Sequence, residues 1–198
     1  MLSLQAPAKL NLGLRIVGVR DDGNHELESV FAPLELQDRV DLEIEPAQIP
    51  GVRLELRSDD PEVPEGPENL AARAAHAFLE AAALRLRVRI RLAKSIPAGA
   101  GLGGGSSDAG AVLRGLRELY PAAVPDLPRL ALGLGADVPY FLDPRPAFVT
   151  GIGERCEPLP GLSAFWLVLL LPREKLATAA VYRAWDAECD GLTPRSAA

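Results

Sequence analysis

The chain has 198 residues, of which 48% are hydrophobic and 24% charged, and its net charge is −6 at neutral pH. That length makes one domain or two small ones, and the apolar share is enough for a real core. The acidic balance excludes nucleic-acid binding driven by bulk charge.

Cys156 and Cys189 are isolated thiols, too few for a disulfide framework, which fits a reducing cytoplasm. His25 and His76 are the only histidines and belong to no Cys/His cluster, which argues against structural zinc. Residues 1–20 carry Lys9, Arg15 and Arg20 among short apolar pieces and do not read as a signal segment. The apolar run at residues 165–171 is far too short to span a membrane, so no membrane partner is expected.

Residues 4–19 read as a strand. Leu10, Leu12, Leu14 and Ile16 alternate with Lys9, Asn11, Gly13 and Arg15, so the leucine face is expected in the core. Taken alone, Lys9 and Asn11 read as a solvated face. Asp21-Asp22-Gly23-Asn24 is turn chemistry, and a return strand follows over residues 25–36 with Leu27, Phe31 and Leu36 to bury. His25 sits at the edge of that turn and by itself reads as exposed. Two further antiparallel strands are expected over residues 39–44 and 52–56, then a Pro/Asp/Glu-rich loop at 58–67.

A helix is expected over residues 68–84, capped by Asn69, with Leu70, Ala74, Ala77, Phe78 and Ala81 as its packing stripe. In residues 85–92 Leu86, Val88, Ile90 and Leu92 alternate with four arginines, a strand with one wet face. It leads through Lys94 into a stretch unlike the rest. Six of the residues from Gly99 to Gly110 are glycine, and Ser106, Ser107 and Asp108 follow the main run. Ala109, Val112, Leu113, Leu116 and Leu119 then recur at helical steps. The two serines and the aspartate are helix-starting types, because a short side-chain oxygen accepts from first-turn amides. A glycine loop that feeds a helix N-terminus suits an anion: the end is partly positive, and glycines let a phosphate approach the backbone.

The loop is not a Walker loop, since Gly105-Ser106-Ser107 lacks the lysine. Gly99, Gly101 and Gly104 match the dinucleotide spacing, but that fold wants a preceding parallel strand apolar on both faces. Further on, Asp126-Leu127-Pro128 starts a short helix that ends at Gly133 or Gly135. Asp137 follows it and by itself reads as a turn residue. Residues 148–155 are a short strand and turn. Residues 164–171 read as a strand apolar on both faces, residues 178–187 as a helix with Val181, Tyr182 and Trp185, and residues 193–198 as a fraying end.

Residues 97–107, PAGAGLGGGSS, resemble the phosphate loop of the GHMP small-molecule kinases. Ala6-Pro7-Ala8-Lys9-Leu10-Asn11-Leu12, Asp22-Gly23-Asn24-His25-Glu26-Leu27 and Gly135-Ala136-Asp137-Val138-Pro139 extend the resemblance, in order, over nearly the whole chain. It implies an α+β GHMP kinase fold. Residues 1–157 would be a ribosomal S5 domain 2-like N-terminal domain, and residues 158–198 the start of a C-terminal α/β domain.

The activity implied is ATP-dependent phosphorylation of a hydroxyl on a cytidyl diphosphate sugar alcohol, in non-mevalonate isoprenoid synthesis, with Mg2+ accompanying the ATP. The triphosphate would lie against Pro97, Ala98, Gly99, Ala100, Gly101, Leu102, Gly103, Gly104, Gly105, Ser106 and Ser107, with Asn69 and Lys94 approaching the nucleotide. Asp137 would be the catalytic base and Lys9 the lysine beside it. Asn11, His25 and Tyr182 would hold the substrate, His25 at the cytosine edge and Tyr182 on its ring. A hydroxyl needs a positioned base, and an ammonium nearby offsets developing phosphate charge. The alternatives within the resemblance are a kinase of homoserine or mevalonate, or a nucleotide-binding remnant.

Two departures stand out. Asn24 occupies a position where the family carries a tyrosine for stacking. The family also continues into a second domain with another glycine-rich motif, so the expectation for 198 residues is weakened or absent catalysis. An uncovered strand at 164–171 would then drive dimerisation or aggregation.

Overall fold

A computed structural model describes residues 1–57, 62–171 and 178–188. Cys189, the fraying end at 193–198 and part of the acidic loop at 58–67 lie outside the described residues. The fold is α+β, a six-stranded mixed sheet with helices packed on it. Its central element is β2 (His25–Pro46), 22 residues in one strand. The expected break between residues 36 and 39 does not occur. β1 (Leu2–Val19) runs antiparallel along one edge of β2, from His25 to Leu42.

The other edge is shared. β4 (Leu86–Ala93) pairs with β2 from Arg39 to Pro46, and β5 (Ala147–Thr150) pairs with it from Ser29 to Phe31. Beyond β4 lies β3 (Gly51–Arg57), parallel to it rather than antiparallel as its alternation suggested. Alternation reports only which face is wet, not strand direction. β6 (Arg155–Pro158) closes the far side against β5.

The apolar face of the sheet carries the main core. Val40 and Leu42 of β2 and Val88, Ile90 and Leu92 of β4 meet α1 (Leu70–Ala81) and α2 (Gly104–Leu119) there. The buried stripe of α1 is alanine-rich, with Phe78 and Leu79 as its large members, and Ala81 faces solvent. In α2, Ala109, Val112, Leu113 and Leu116 are fully buried as the spacing predicts, while Leu119 is exposed. Small residues set the fit: a Cβ on Gly115 would stand 2.8 Å from Leu4 and from Leu42. α3 (Leu127–Leu134) is capped by Asp126, which accepts from the Arg129 amide, and it ends at Gly135. On the wet face, Arg87, Arg89 and Arg91 pair with Glu43, Glu45 and Glu55 in a charge ladder.

Three expectations fail for one reason, tertiary context. In β1 the register shifts between Asn11 and Leu14, where two residues face one on β2. Leu12 within that bulge and Leu14 beyond it are exposed, while Lys9, which precedes it and reads as solvated, is 5% exposed. Ser106, Ser107 and Asp108 do not cap α2. They lie inside it, and the N-cap is Gly103 in the left-handed region. Residues 164–171 form no strand: no ladder partner runs beside them among the described residues, and Trp166 is 98% exposed.

Candidate functional site

The glycine loop is shaped by backbone torsion. Gly99, Gly101 and Gly103 all have φ near 70°, while Ala100 and Leu102 between them do not have positive φ. Such alternation turns successive amides toward one side, forming an anion-binding concavity. Among the described residues, no amide from Gly99 to Gly105 donates to another backbone carbonyl. The loop borders a cavity of about 200 Å³ whose other walls include Asn69, Leu70, Lys94 and Asp108. Asn69 caps α1 through the Ala71 amide and donates to the Pro64 carbonyl, the structural role its position suggested. Ser107 is fully buried and donates to the Pro7 carbonyl of β1.

The loop is bolted to β1 at Lys9, whose amide donates to the Leu102 carbonyl at 2.9 Å. A Cβ on Gly103 would lie 2.9 Å from the Phe141 ring and 3.1 Å from Lys9 Cγ, so glycine is required there by space as well as torsion. The Lys9 ammonium lies 3.5 Å from Asp137 Oδ2, donates to Asn11 Oδ1 at 3.1 Å, and sits 4.5 Å from the centre of the Phe31 ring. A buried ammonium is tolerated because a carboxylate, an amide oxygen and an aromatic face surround it. Asp137 stands in the turn between α3 and a short 3-10 helix (Tyr140–Leu142), with its side chain partly open. That 3-10 helix is held from α2: Arg114 donates to the Phe141 carbonyl and Arg117 to the Leu142 carbonyl.

On the other side of Asp137, α4 (Thr178–Glu188) brings Tyr182 onto His25. The two rings stack with centroids 4.6 Å apart and a 19° tilt, and Trp185 meets His25 edge-on. His25 Nε2 lies 2.6 Å from Asp186 Oδ1, and its side chain is 12% exposed, not open as its place beside the turn suggested. Burial, with the charge of Asp137, raises the Tyr182 hydroxyl above its ordinary range. Burial, with Asp137 and Glu154, pushes the Cys156 thiol up to about 11. Tyr140 is also buried nearby, with no partner for its hydroxyl among the described residues.

Lys94, expected to approach the nucleotide, lines the loop cavity. It is buried between two carboxylates, Asp38 and Asp108, with Asp108 at 2.6 Å. Neither aspartate was picked out by sequence. Asp38 is an ordinary polar position in a strand, and Asp108 resembled a helix cap. The available signal for Asp38 is the alternation of β2, where it shares parity with Val40 and Leu42 on the buried face.

The model of the GHMP kinases N terminal domain matches residues 69–143. The chain is 51% identical over 179 residues to the 4-diphosphocytidyl-2-C-methyl-D-erythritol kinase of Thermus thermophilus, covering 90% of this chain and 61% of that protein. It is 43% identical to the kinase of the same name from Symbiobacterium thermophilum, covering 98% and 67%. A crystal structure of 4-(cytidine 5'-diphospho)-2C-methyl-D-erythritol kinase superposes with a TM-score of 0.74 at 46% identity, covering 92% of this chain and 64% of that one. Homoserine kinase from Cytophaga hutchinsonii shares the fold, with a TM-score of 0.57 at 21% identity, covering 96% of this chain and 66% of that one. The chain spans roughly three fifths to two thirds of the length of such relatives.

Proposed function

We propose that this chain, which belongs to the GHMP kinase family and within it to the 4-diphosphocytidyl-2-C-methyl-D-erythritol kinases, binds ATP on its glycine loop and transfers the terminal phosphoryl to the 2-hydroxyl of that cytidyl substrate. The observation that carries this reading is the junction at Lys9. One residue ties its backbone to the loop and aims its ammonium at Asp137. A phosphate on the loop amides is thereby brought beside both groups that the transfer needs.

The geometry supports the following roles. The amides from Gly99 to Gly105, which donate to no backbone carbonyl among the described residues, donate to the triphosphate, with the partly positive end of α2 behind them. Asp137 accepts the proton of the substrate hydroxyl as the hydroxyl oxygen bonds to the terminal phosphorus and the bond from that phosphorus to the ADP oxygen breaks, ADP leaving. The Lys9 ammonium offsets the negative charge on the transferring group. Asn11 fixes the ammonium from the second side and is placed to meet a sugar hydroxyl. His25 and Tyr182 form the cytosine end. Because they stack directly on each other, a base must displace Tyr182 or lie along the edge of the pair. Asn24 offers no ring there, so Tyr182 and Trp185 supply the aromatic faces.

Among the described residues no three Asp, Glu, His or Cys side chains are grouped to hold an ion. Magnesium is therefore proposed only as the companion of ATP, on its phosphate oxygens. A cytoplasmic location is proposed with it, from the two isolated thiols.

Incubating the chain with labelled ATP and either the cytidyl substrate or homoserine tests the reading. Label transferred to the cytidyl compound supports it. Transfer to homoserine alone assigns the chain to another branch of the family. ATP binding with no transfer to either favours a nucleotide-binding remnant.

A further inference from the structure

The partners of Lys94 raise a question that the kinase reading leaves open. Asp38, Lys94 and Asp108 place two carboxylates and one ammonium in a buried cluster, with the Asp38 and Asp108 residues 1% and 2% exposed. Burying ionisable groups is costly, and two carboxyl groups and an ammonium are held here against that cost beside a polyphosphate site. Such a cluster has to act on something that an apolar cluster could not hold.

Its hydrogen bonds show what it holds. Asp38 lies where β2 loses its partner strand, just past the last pair with β4 at Arg39. Its Oδ1 accepts the amides of Ser95 and Ile96, the two residues that lead into the glycine loop. Its Oδ2 accepts from Lys94, and the same ammonium donates to Asp108 Oδ2 in α2, beyond the loop. The entry to the loop and the helix after it are thus fastened to one strand through one lysine. The loop is tied by backbone as well: the Lys9 amide donates to the Leu102 carbonyl, and the Ser107 amide to that of Gly103.

We propose that Asp38, Lys94 and Asp108 act as one positioning unit that holds the glycine loop in its anion-accepting shape, and that Lys94 acts on the nucleotide through the two aspartates rather than by touching it. This rests on the nucleotide-binding reading above and deepens it. The electrostatics agree with the geometry. Burial works against the Lys94 ammonium, yet Asp108 and Asp38 outweigh it and hold its pKa above the ordinary lysine value. Burial pushes Asp108 up to about 8 against the pull of Lys94. Asp108 Oδ1 has no partner among the described residues. The unit therefore uses only one oxygen of Asp108, and an amide in its place should serve.

The test is the affinity of the full chain for a fluorescent ATP analogue, read by titration at a temperature well below each variant's unfolding midpoint. Lys94→Met, Asp38→Ala and Asp108→Leu should each weaken binding about tenfold, and the Lys94→Met/Asp108→Leu double variant by no more than the worse single change, because coupled residues are non-additive. Asp108→Asn, which keeps an oxygen for Lys94, should stay within about threefold of the parent.

If Lys94→Met loses affinity while Asp38→Ala and Asp108→Leu keep it, Lys94 touches the nucleotide directly and the unit is overturned. A loss that tracks the unfolded fraction in every variant also overturns it. Should Asp38→Ala fail to fold, the Asp108→Leu and Asp108→Asn pair decides alone. Failure of the parent chain to bind the analogue overturns the nucleotide reading itself, and the inference falls with it.

Discussion

At the glycine loop the recognition surface is backbone, whereas at His25 it is side chain. The loop presents amides whose direction is set by three left-handed glycines and by buried ions behind them. The His25 end is assembled from β2 and from α4, more than 150 residues later in the chain, through ring stacking and one contact to Asp186. Backbone fixed by torsion has few alternatives, so the loop is preset for an anion. Stacked side chains on a helix with exposed faces can rearrange, so the second end is shaped for exchange of one ring for another. Asp137 lies between them, close enough to act electrostatically on Tyr182 and paired with Lys9 on the loop side.

The largest effect that this contrast predicts falls on the residue between the two ends. Asp137→Asn should lower phosphoryl transfer about 10²–10⁴-fold, with affinity for ATP unchanged, as measured by turnover beside a binding titration. Retained turnover would remove Asp137 from the reaction. The next largest concerns the fit behind the loop. A Cβ on Gly110 would lie 2.4 Å from Phe141 Cβ and 2.8 Å from its carbonyl oxygen. Gly110→Ala should therefore cost about 1–3 kcal/mol of stability, the usual range for overpacking, in a denaturant titration. Unchanged stability would mean that the seat of Phe141 is softer than described.

At the side-chain end the effect should be smaller and confined. Tyr182→Leu should weaken binding of cytidine 5'-diphosphate several-fold, in line with an aromatic pair worth about 0.5–1.5 kcal/mol. It should leave the affinity for ATP alone. Equal losses for both nucleotides would erase the division between the two ends.

The smallest effect is on pH dependence. With its pKa pushed up to about 8, Asp108 keeps a proton in the folded chain that the unfolded chain has already released. The native state binds more protons across that window, so the contribution is full at low pH and falls as pH rises toward 8. Lys94, raised instead, contributes below its ordinary value of 10.5 and is lost only above it. Between pH 6 and 8.5 the parent's unfolding midpoint should fall further than that of Asp108→Asn, by calorimetry. Parallel profiles would show that Asp108 is ionised throughout.

Much of the fold was legible because its signals are local. The Asp22–Asn24 turn, the caps at Asn69 and Asp126, the arginine-striped strand and the α2 periodicity all follow from neighbours within one or two turns. The glycine loop was readable for the same reason: alternating left-handed residues need glycine whatever surrounds them. Lys9 and Asp137 needed more. Each alone reads as surface or turn chemistry, and only the order of several motifs, matched to a family, pointed to a pair.

The sequence by itself determined the loop, the helix behind it, the wet and dry faces of β4 and the identity of the residues that would meet. Tertiary structure decided which charges are buried. In β1 two leucines, at and just past a one-position change of register, are exposed. A gap beside β2 admitted the loop entry, and Asp38 and Asp108 closed on Lys94 from opposite sides of it. Burial of a charge depends on partners brought from far along the chain, and no pattern within a few residues carries that information.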